Sequence, residues 1–273
     1  FFQADDGIRD PLWSRGLGDV YKRQHYKFVT KMKTASIIII GNEILSGRTK
    51  DTNSNYLAKI LVKKGIELRE VRVIPDNHNI IKSVINSESS LKDYVFTSGG
   101  IGPTHDDITA EAVASCFDVP LLVRDDAVEL LAMNYKNGKK DLNAARLRMA
   151  RIPEGAKLIK NKISGAPGFI IKNVFVMAGV PQIFEAMVQE ISSDLEQIEP
   201  ILSKTIKIFK KESEISERLW QYADTYKDIS IGSYPFNNSG VFGVEIVLSH
   251  TDITLLNKVF NEILLDFNEP NTN

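Results

Sequence analysis

The residues with the strongest chemical pattern run from Ser98 to Glu111, Ser-Gly-Gly-Ile-Gly-Pro-Thr-His-Asp-Asp-Ile-Thr-Ala-Glu. Gly99, Gly100 and Gly102 lack side chains, so a ligand can approach the backbone N–H groups between them closely. An apolar run, Val95 to Thr97, leads into the glycines. A helical pattern with Ile108, Ala112, Val113, Cys116 and Phe117 on one face leads out from about Asp107. Strand, glycine loop and helix start together make an anion site, since unpaired N–H groups and the helix dipole converge there. Asp106 and Asp107 would repel a bare phosphate, so a phosphorylated ligand here calls for a bridging divalent cation such as Mg²⁺. Thr104 or Asp106 is the expected helix cap, and the plainer reading is a tight β–α turn whose aspartates only cap the helix.

A second glycine-bounded loop, Gly41-Asn42-Glu43-Ile44-Leu45-Ser46-Gly47, follows the β-branched run Ala35 to Ile40. Asp51-Thr52-Asn53-Ser54 then supplies capping residues to a helix carrying Tyr56, Leu57, Ile60 and Leu61 and stopping near Gly65. A strand is predicted over Ile66 to Ile74, a helix around Ile80 to Ile85, and the strand Tyr94 to Thr97 after it. This β-α-β-α-β-α order implies a parallel sheet covered on both faces, with ligands at the carboxyl ends of the strands. Both glycine loops leave such ends, which places them on one edge of the sheet.

Further along, Pro120 to Val123 is extended, and helices are predicted over Asp125 to Tyr135 and Leu142 to Met149. Lys139, Lys140, Arg146, Arg148 and Arg151 form a basic cluster, either a solvated face or one that reaches a substrate's phosphates. Ile152 to Gly155 reads as a turn. Phe169 to Ile171 and Val174 to Met177 read as strands. Ala178-Gly179-Val180-Pro181 opens a helix with Pro181 at its favoured first position. Beyond a boundary at Glu196 to Pro200, a small β-α-β-β-α unit is expected: Thr205 to Phe209, Ile215 to Tyr222, Ile229 to Tyr234, Phe242 to Leu248 and Ile253 to Leu265. Its order overlaps with KH-like RNA-binding domains, and it reads as structural or dimer-forming.

The 273 residues carry a formal net charge of −1, with 43% hydrophobic and 25% charged residues. That balance favours neither nucleic acid nor an anionic membrane as partner. Cys116 is the single cysteine, which excludes an intrachain disulfide, and it fits a core position better than a nucleophile. No apolar run has membrane-spanning length, and the composition reads as cytoplasmic. Residues 1–24 show no periodicity and resemble translated read-through of a sequencing adapter, with Met32 the candidate natural start; a partner-binding tail is the other reading. The expected organisation is a tail over 1–31, an α/β domain over 32–198 and the small unit over 199–273.

With these motifs in view, the sequence resembles the molybdopterin-binding (MoaB/Mog-type) domain family. Within it, the similarity is to the competence/damage-inducible protein A branch and to the corresponding half of eukaryotic FAD synthetase. It is carried by Gly41 to Leu45 with Gly47, Asp51-Thr52-Asn53, Asp76, Gly99 to Thr104 with Asp106 to Thr109 and Glu111, and Ala178 to Pro181. Pro153 to Ala156, Ala166 to Gly168 and Ile231 to Pro235 match the competence-protein branch, and the resemblance covers about residues 34 to 265. It implies a three-layer α/β/α domain with a mostly parallel sheet, and a pocket for a pterin phosphate or a nucleotide. The binding residues it implies are Gly41, Asn42, Gly47, Asp51, Asn53, Ser98, Gly99, Gly100, Gly102, Pro103, Thr104, Thr109, Gly179 and Pro181. It further implies metal-dependent hydrolysis of a dinucleotide such as ADP-ribose or FAD with Mg²⁺ or Co²⁺. Asp106 and Asp107 would hold the metal, and Glu43 would complete the catalytic set. Molybdopterin binding or adenylylation, and a module that only binds, are the other implied functions; a homo-oligomer is the implied assembly. Asn42 stands where the family often has Asp or Thr, which removes a charge from the first loop. His105 is expected to be a solvent-facing bystander.

Overall fold

The computed structural model describes residues 33–238 and 240–268; the predicted tail lies outside the described residues. Two compact units divide at Pro200 and Ile201. In the first, a six-stranded sheet has the order β2-β1-β3-β8-β7-β6. Its strands are β1 Lys33–Ile40, β2 Ile66–Ile74, β3 Tyr94–Ser98, β6 Lys157–Ile159, β7 Gly168–Ile171 and β8 Val174–Met177. β2, β1, β3 and β8 run parallel, and β7 is antiparallel to both its neighbours. The sheet is thus parallel where the site residues leave it and mixed at the far edge.

Alternation along β1 sends Ile38 and Ile40 to one face and Ile37 and Ile39 to the other, all essentially buried. The first pair packs with Ile81 and Ile85 of α3 (His78–Leu91) and Ala112 and Val113 of α4 (Thr109–Phe117). The second packs with Leu57 and Leu61 of α2 (Asn53–Lys64) and Phe184 and Met187 of α7 (Pro181–Glu190). A sheet apolar on both faces needs this double cover, and the three-layer architecture follows.

The phase slip in β2, where Ile66 and Leu68 give way to Val71 and Val73, has a structural cause. The pairing steps from Ala35–Leu68 to Ser36–Glu70, so Arg69 is the extra residue of a bulge. Glu70 and Arg72 are thereby turned toward α3. There Arg72 Nη2 lies 3.0 Å from Oε1 of the fully buried Glu88, without aligned hydrogen-bond geometry.

Several expectations need correction. The loop after β1 contains a one-turn helix, α1 (Asn42–Leu45). The helix expected from Asp107 begins at Thr109, and neither Thr104 nor Asp106 caps it. The segment Ile152 to Gly155 is partly strand: β5 (Arg151–Pro153) pairs with β4 (Leu121–Val123) before the turn. Strand β6 has no counterpart in the sequence reading, because three residues cannot show a period. Between β4 and β5 the helices are shorter than expected, α5 (Asp125–Ala132) and α6 (Ala144–Arg148), joined by a 3₁₀ turn at Gly138–Asp141.

The second unit has the expected order: β9 (Leu202–Ile208), α8 (Glu212–Thr225), β10 (Ser230–Asn238), β11 (Val241–His250) and α9 (Ile253–Asn268). Its antiparallel sheet is ordered β10-β11-β9 and buries Ile206, Ile246 and Leu248 against Ile215, Leu256 and Ile263. Pro235 lies on β10, the edge strand, where a missing N–H is tolerated. Among the described residues no helix is long and apolar enough to cross a membrane.

Candidate functional site

Strand order brings the site together. β1 passes to α2 on one face of the sheet, while its neighbour β3 passes to α4 on the opposite face. Adjacent strands whose exits diverge open a crevice at their carboxyl ends, the usual ligand position in such sheets. The loops 41–47 and 99–108 flank it, with residues 75–77, after β2, on the outer side of the first and residues 178–180, after β8, on the outer side of the second.

The β3 loop is built by close backbone contact. Gly99 has φ +113, and a Cβ there would stand 2.2 Å from the Ile40 carbonyl oxygen; its N–H donates to the Met177 carbonyl at 3.0 Å. Gly100 has φ +69, and a Cβ would meet Thr109 Oγ1 at 2.1 Å. That hydroxyl, fully buried, donates to the Gly99 carbonyl at 3.0 Å, and the Thr109 N–H donates to the Gly100 carbonyl at 2.9 Å. Gly99 is therefore spent on the fold. Among the described residues, the N–H groups of Gly100, Ile101 and Gly102 have no protein acceptor.

The aspartates fold back on their own loop. Thr104 N–H donates to Asp107 Oδ2 at 2.8 Å. Thr104 Oγ1 lies 2.5 Å from Asp106 Oδ1 and 2.6 Å from Asp107 Oδ2. One hydroxyl has one proton, so it can donate to only one of these two carboxylates. The other close pair sets lone pair against lone pair, a geometry that a cation or a shared proton relieves. The Thr104 hydroxyl holds the Asp106 carboxyl below its ordinary range. Pro103, Thr104 and Asp106 are exposed and Asp107 is half-buried; the His105 side chain is 98% exposed, as a bystander would be.

The β1 loop is more open. The Gly41 N–H donates to the Ile74 carbonyl, and the Asn42 N–H donates to Asp76 Oδ2 at 2.9 Å. The Asn42 residue is exposed, and the half-buried Glu43 turns its carboxylate back over Gly41. Burial pushes the Asp76 carboxyl up; the Asn42 N–H opposes this, and the negative charges of Glu43 and Asp106 add to it. Asp76, Glu43 and Asp106 thus share one electrostatic neighbourhood. Asp76 was prominent in the sequence only as part of the family motif, and its position just past the end of β2 is the signal for a site role. Gly47, at φ +73, ends the loop in open surroundings.

Other expected binders are also bonded within the protein. Asp51 Oδ1 accepts from the N–H of Asn53 and Ser54 and so caps α2. Asn53 is 5% exposed; its Nδ2 donates to Ser98 Oγ and to the Gly179 carbonyl, both at 2.8 Å. These bonds tie the end of β3, the start of α2 and the segment after β8 together, and the Asn53 Oδ1 is left buried without a donor. Gly179 is where a Cβ would lie 3.2 Å from Gly99 Cα, and Pro181 opens α7 at its first turn.

Among the described residues, no group of three or more His, Cys, Asp or Glu side chains is arranged to hold a metal ion. Surface hollows of about 400 and 440 Å³ lie elsewhere, one lined by Lys33, Asp93 and Lys157 and the other by Ser115 and Asp118. The loop edge is distinguished by free donors and crowded carboxylates rather than by volume.

Comparison with known families and structures agrees with this geometry. Residues 36–198 match the family described as "Probable molybdopterin binding domain". The chain belongs to that molybdopterin-binding domain family. Residues 200–271 match a second family, "FAD synthase, middle domain". A protein of Archaeoglobus fulgidus is 37% identical over 199 residues, 73% of this chain and 84% of that one. The "Probable FAD synthase" of Caenorhabditis elegans is 32% identical over 79% of this chain, which spans only 46% of that protein. The crystal structure of CinA from Thermoplasma acidophilum, a protein described there as of unknown function, is 35% identical. It covers 60% of this chain and 98% of its own, with a TM-score of 0.56. The three-layer fold and the CinA-like branch of the family are thus established for this chain.

Proposed function

We propose that the crevice between the two loops binds a dinucleotide through its pyrophosphate, and that the protein is a divalent-metal-dependent pyrophosphatase. The observation that carries this reading is the convergence of Asp106 and Asp107 on a single Thr104 hydroxyl, beside three N–H groups without acceptors. The crowded carboxylates suit a cation, and the free N–H groups suit phosphate oxygens. Two carboxylates with substrate phosphates and water are a common Mg²⁺ environment, so the donor set fits without a third protein ligand. A bound Mg²⁺ or Co²⁺ would supply charge neutralisation of the phosphates.

The chain's own residues then have distinct tasks. Gly100, Ile101 and Gly102 orient the phosphates through their N–H groups. Glu43 takes the proton of the attacking water as its oxygen bonds to phosphorus and the bridging P–O bond breaks. ADP-ribose would give AMP and ribose 5-phosphate; FAD would give AMP and FMN. Leu45 and Val180, 52% and 56% exposed, provide apolar flanks for an organic ligand. The test is incubation with ADP-ribose, FAD and related dinucleotides in the presence of Mg²⁺, Mn²⁺ or Co²⁺. Metal-dependent AMP release is expected.

Molybdopterin binding or adenylylation is the second reading. No AMP release with any pair, together with retention of molybdopterin, would select it. Binding without catalysis, the remaining reading, is favoured by the uncharged Asn42.

A further inference from the structure

The segment between β4 and β5 carries two arginines on α6 that differ in what they touch. Arg146 is tied into its own segment: Nη1 donates to the Asp141 carbonyl, and its guanidinium lies 4.3 Å from the Tyr135 ring centre. Arg148, two residues on, reaches the β3 loop, where its Nη2 donates to the backbone carbonyl of Asp107 at 3.3 Å. Its Nε is buried and has no acceptor. The side chain is therefore sunk into the unit rather than swept through solvent, and its donor is presented to Asp107 from a fixed place.

From this geometry we infer that Arg148 is a positioning residue for the Asp106–Asp107 pair. The inference rests on reading that loop as the phosphate and cation site. Between Ile101 and Ile108, the backbone makes one hydrogen bond of its own, Asp107 N–H to the Thr104 carbonyl at 3.3 Å. The remaining polar contacts within this stretch join Thr104, His105, Asp106 and Asp107 to one another. Arg148 anchors this self-contained turn to the rest of the unit from the carbonyl side of Asp107. Lysine would keep the charge but not the planar guanidinium whose Nη2 reaches the Asp107 carbonyl, so the two are not equivalent here. The basic cluster thereby divides: Arg146 braces its own segment, and Arg148 reaches the site through a backbone atom.

The test compares the full chain with Arg148→Ala and Arg148→Lys. Mn²⁺ binding is read by electron paramagnetic resonance of the free ion, which needs no turnover, and kcat and KM are measured with ADP-ribose. Hydrogen exchange is followed in residues 101–108. A residue acting through the metal-holding loop should weaken Mn²⁺ binding by about 10-fold in Arg148→Ala. We expect kcat to fall and KM to change little, with faster exchange confined to 101–108 and partial recovery in Arg148→Lys. Unchanged Mn²⁺ binding and kcat would overturn the inference. So would a rise in KM alone, because that marks a direct phosphate contact. If the unaltered protein neither binds Mn²⁺ nor releases AMP, the underlying site reading fails. Exchange in 101–108 then decides the anchoring role, equal rates in all three proteins overturning it and faster rates in Arg148→Ala upholding it.

Discussion

The loops leaving β1 and β3 lie side by side yet are built on different principles. The β3 loop is fixed by backbone: two positive-φ glycines pressed against Ile40 and Thr109, and a buried hydroxyl closing the turn. The β1 loop is held at its base by the Gly41 N–H bond to the Ile74 carbonyl and the Asn42 N–H bond to Asp76, and it presents an exposed Asn42 and a half-buried Glu43. The difference teaches where this fold permits chemical variation. A loop pressed together by backbone cannot accept new side chains at its base, whereas the exposed Asn42 side chain takes no part in holding the β1 loop, so Asp, Thr or Asn can stand there without disturbing the sheet.

The largest effect should come from breaking the backbone-held loop. Gly99→Ala places a methyl group 2.2 Å from a carbonyl oxygen that belongs to the central strand, at φ +113. We expect a loss of about 3 kcal/mol or more in denaturant unfolding, since neither strain nor collision can be relieved locally. An unchanged midpoint would show that the loop is not held as described. Removing the brace common to both sides is next. Asn53→Ala deletes two hydrogen bonds and leaves Ser98 and the Gly179 carbonyl unpaired, an expected cost of about 1–3 kcal/mol. Its thermal midpoint should fall clearly, while an exposed change such as Asn42→Ala leaves it in place.

The smallest effect separates stability from activity in the open loop. The Asp76 carboxyl is raised by burial and by its acidic neighbours, so its proton is held more tightly in the folded protein than in the unfolded chain. Such a group favours folding below the ordinary value of 3.8 and loses that contribution as pH rises through its folded value. Asp76→Asn keeps an acceptor for the Asn42 N–H and removes the charge. Its thermal midpoint should therefore exceed that of the unaltered protein at neutral pH, with the gain vanishing below about pH 3.8. A midpoint lower at every pH would mean that the carboxylate is a net support of the fold.

How much of this was legible in the sequence depended on range. Periodic apolar runs announced β1, β2 and β3 and the helices between them, and from that order the common edge of the two loops followed. Ile66 to Ile74 read as one uninterrupted strand, and the bulge at Arg69 emerges only in its pairing with β1. The start of α4 was misplaced because Asp106 and Asp107 look like capping residues, whereas their carboxylates turn to Thr104 and the helix waits for Thr109. Asn53 and Asp51 were read as ligand contacts; the structure shows them bonded within the protein. The bonds from Asn42 to Asp76 and from Arg148 to Asp107 join residues 34 and 41 positions apart, a separation at which sequence spacing carries no signal.

The most direct test of the central claim is AMP release by Asp107→Ala. With Mg²⁺ or Co²⁺ and ADP-ribose or FAD, the account predicts a loss of at least about 100-fold relative to the unaltered protein. The thermal midpoint should be retained, because Asp107 braces only its own exposed turn. Equal metal-dependent AMP release by the two proteins would contradict the roles assigned to the Asp106–Asp107 pair.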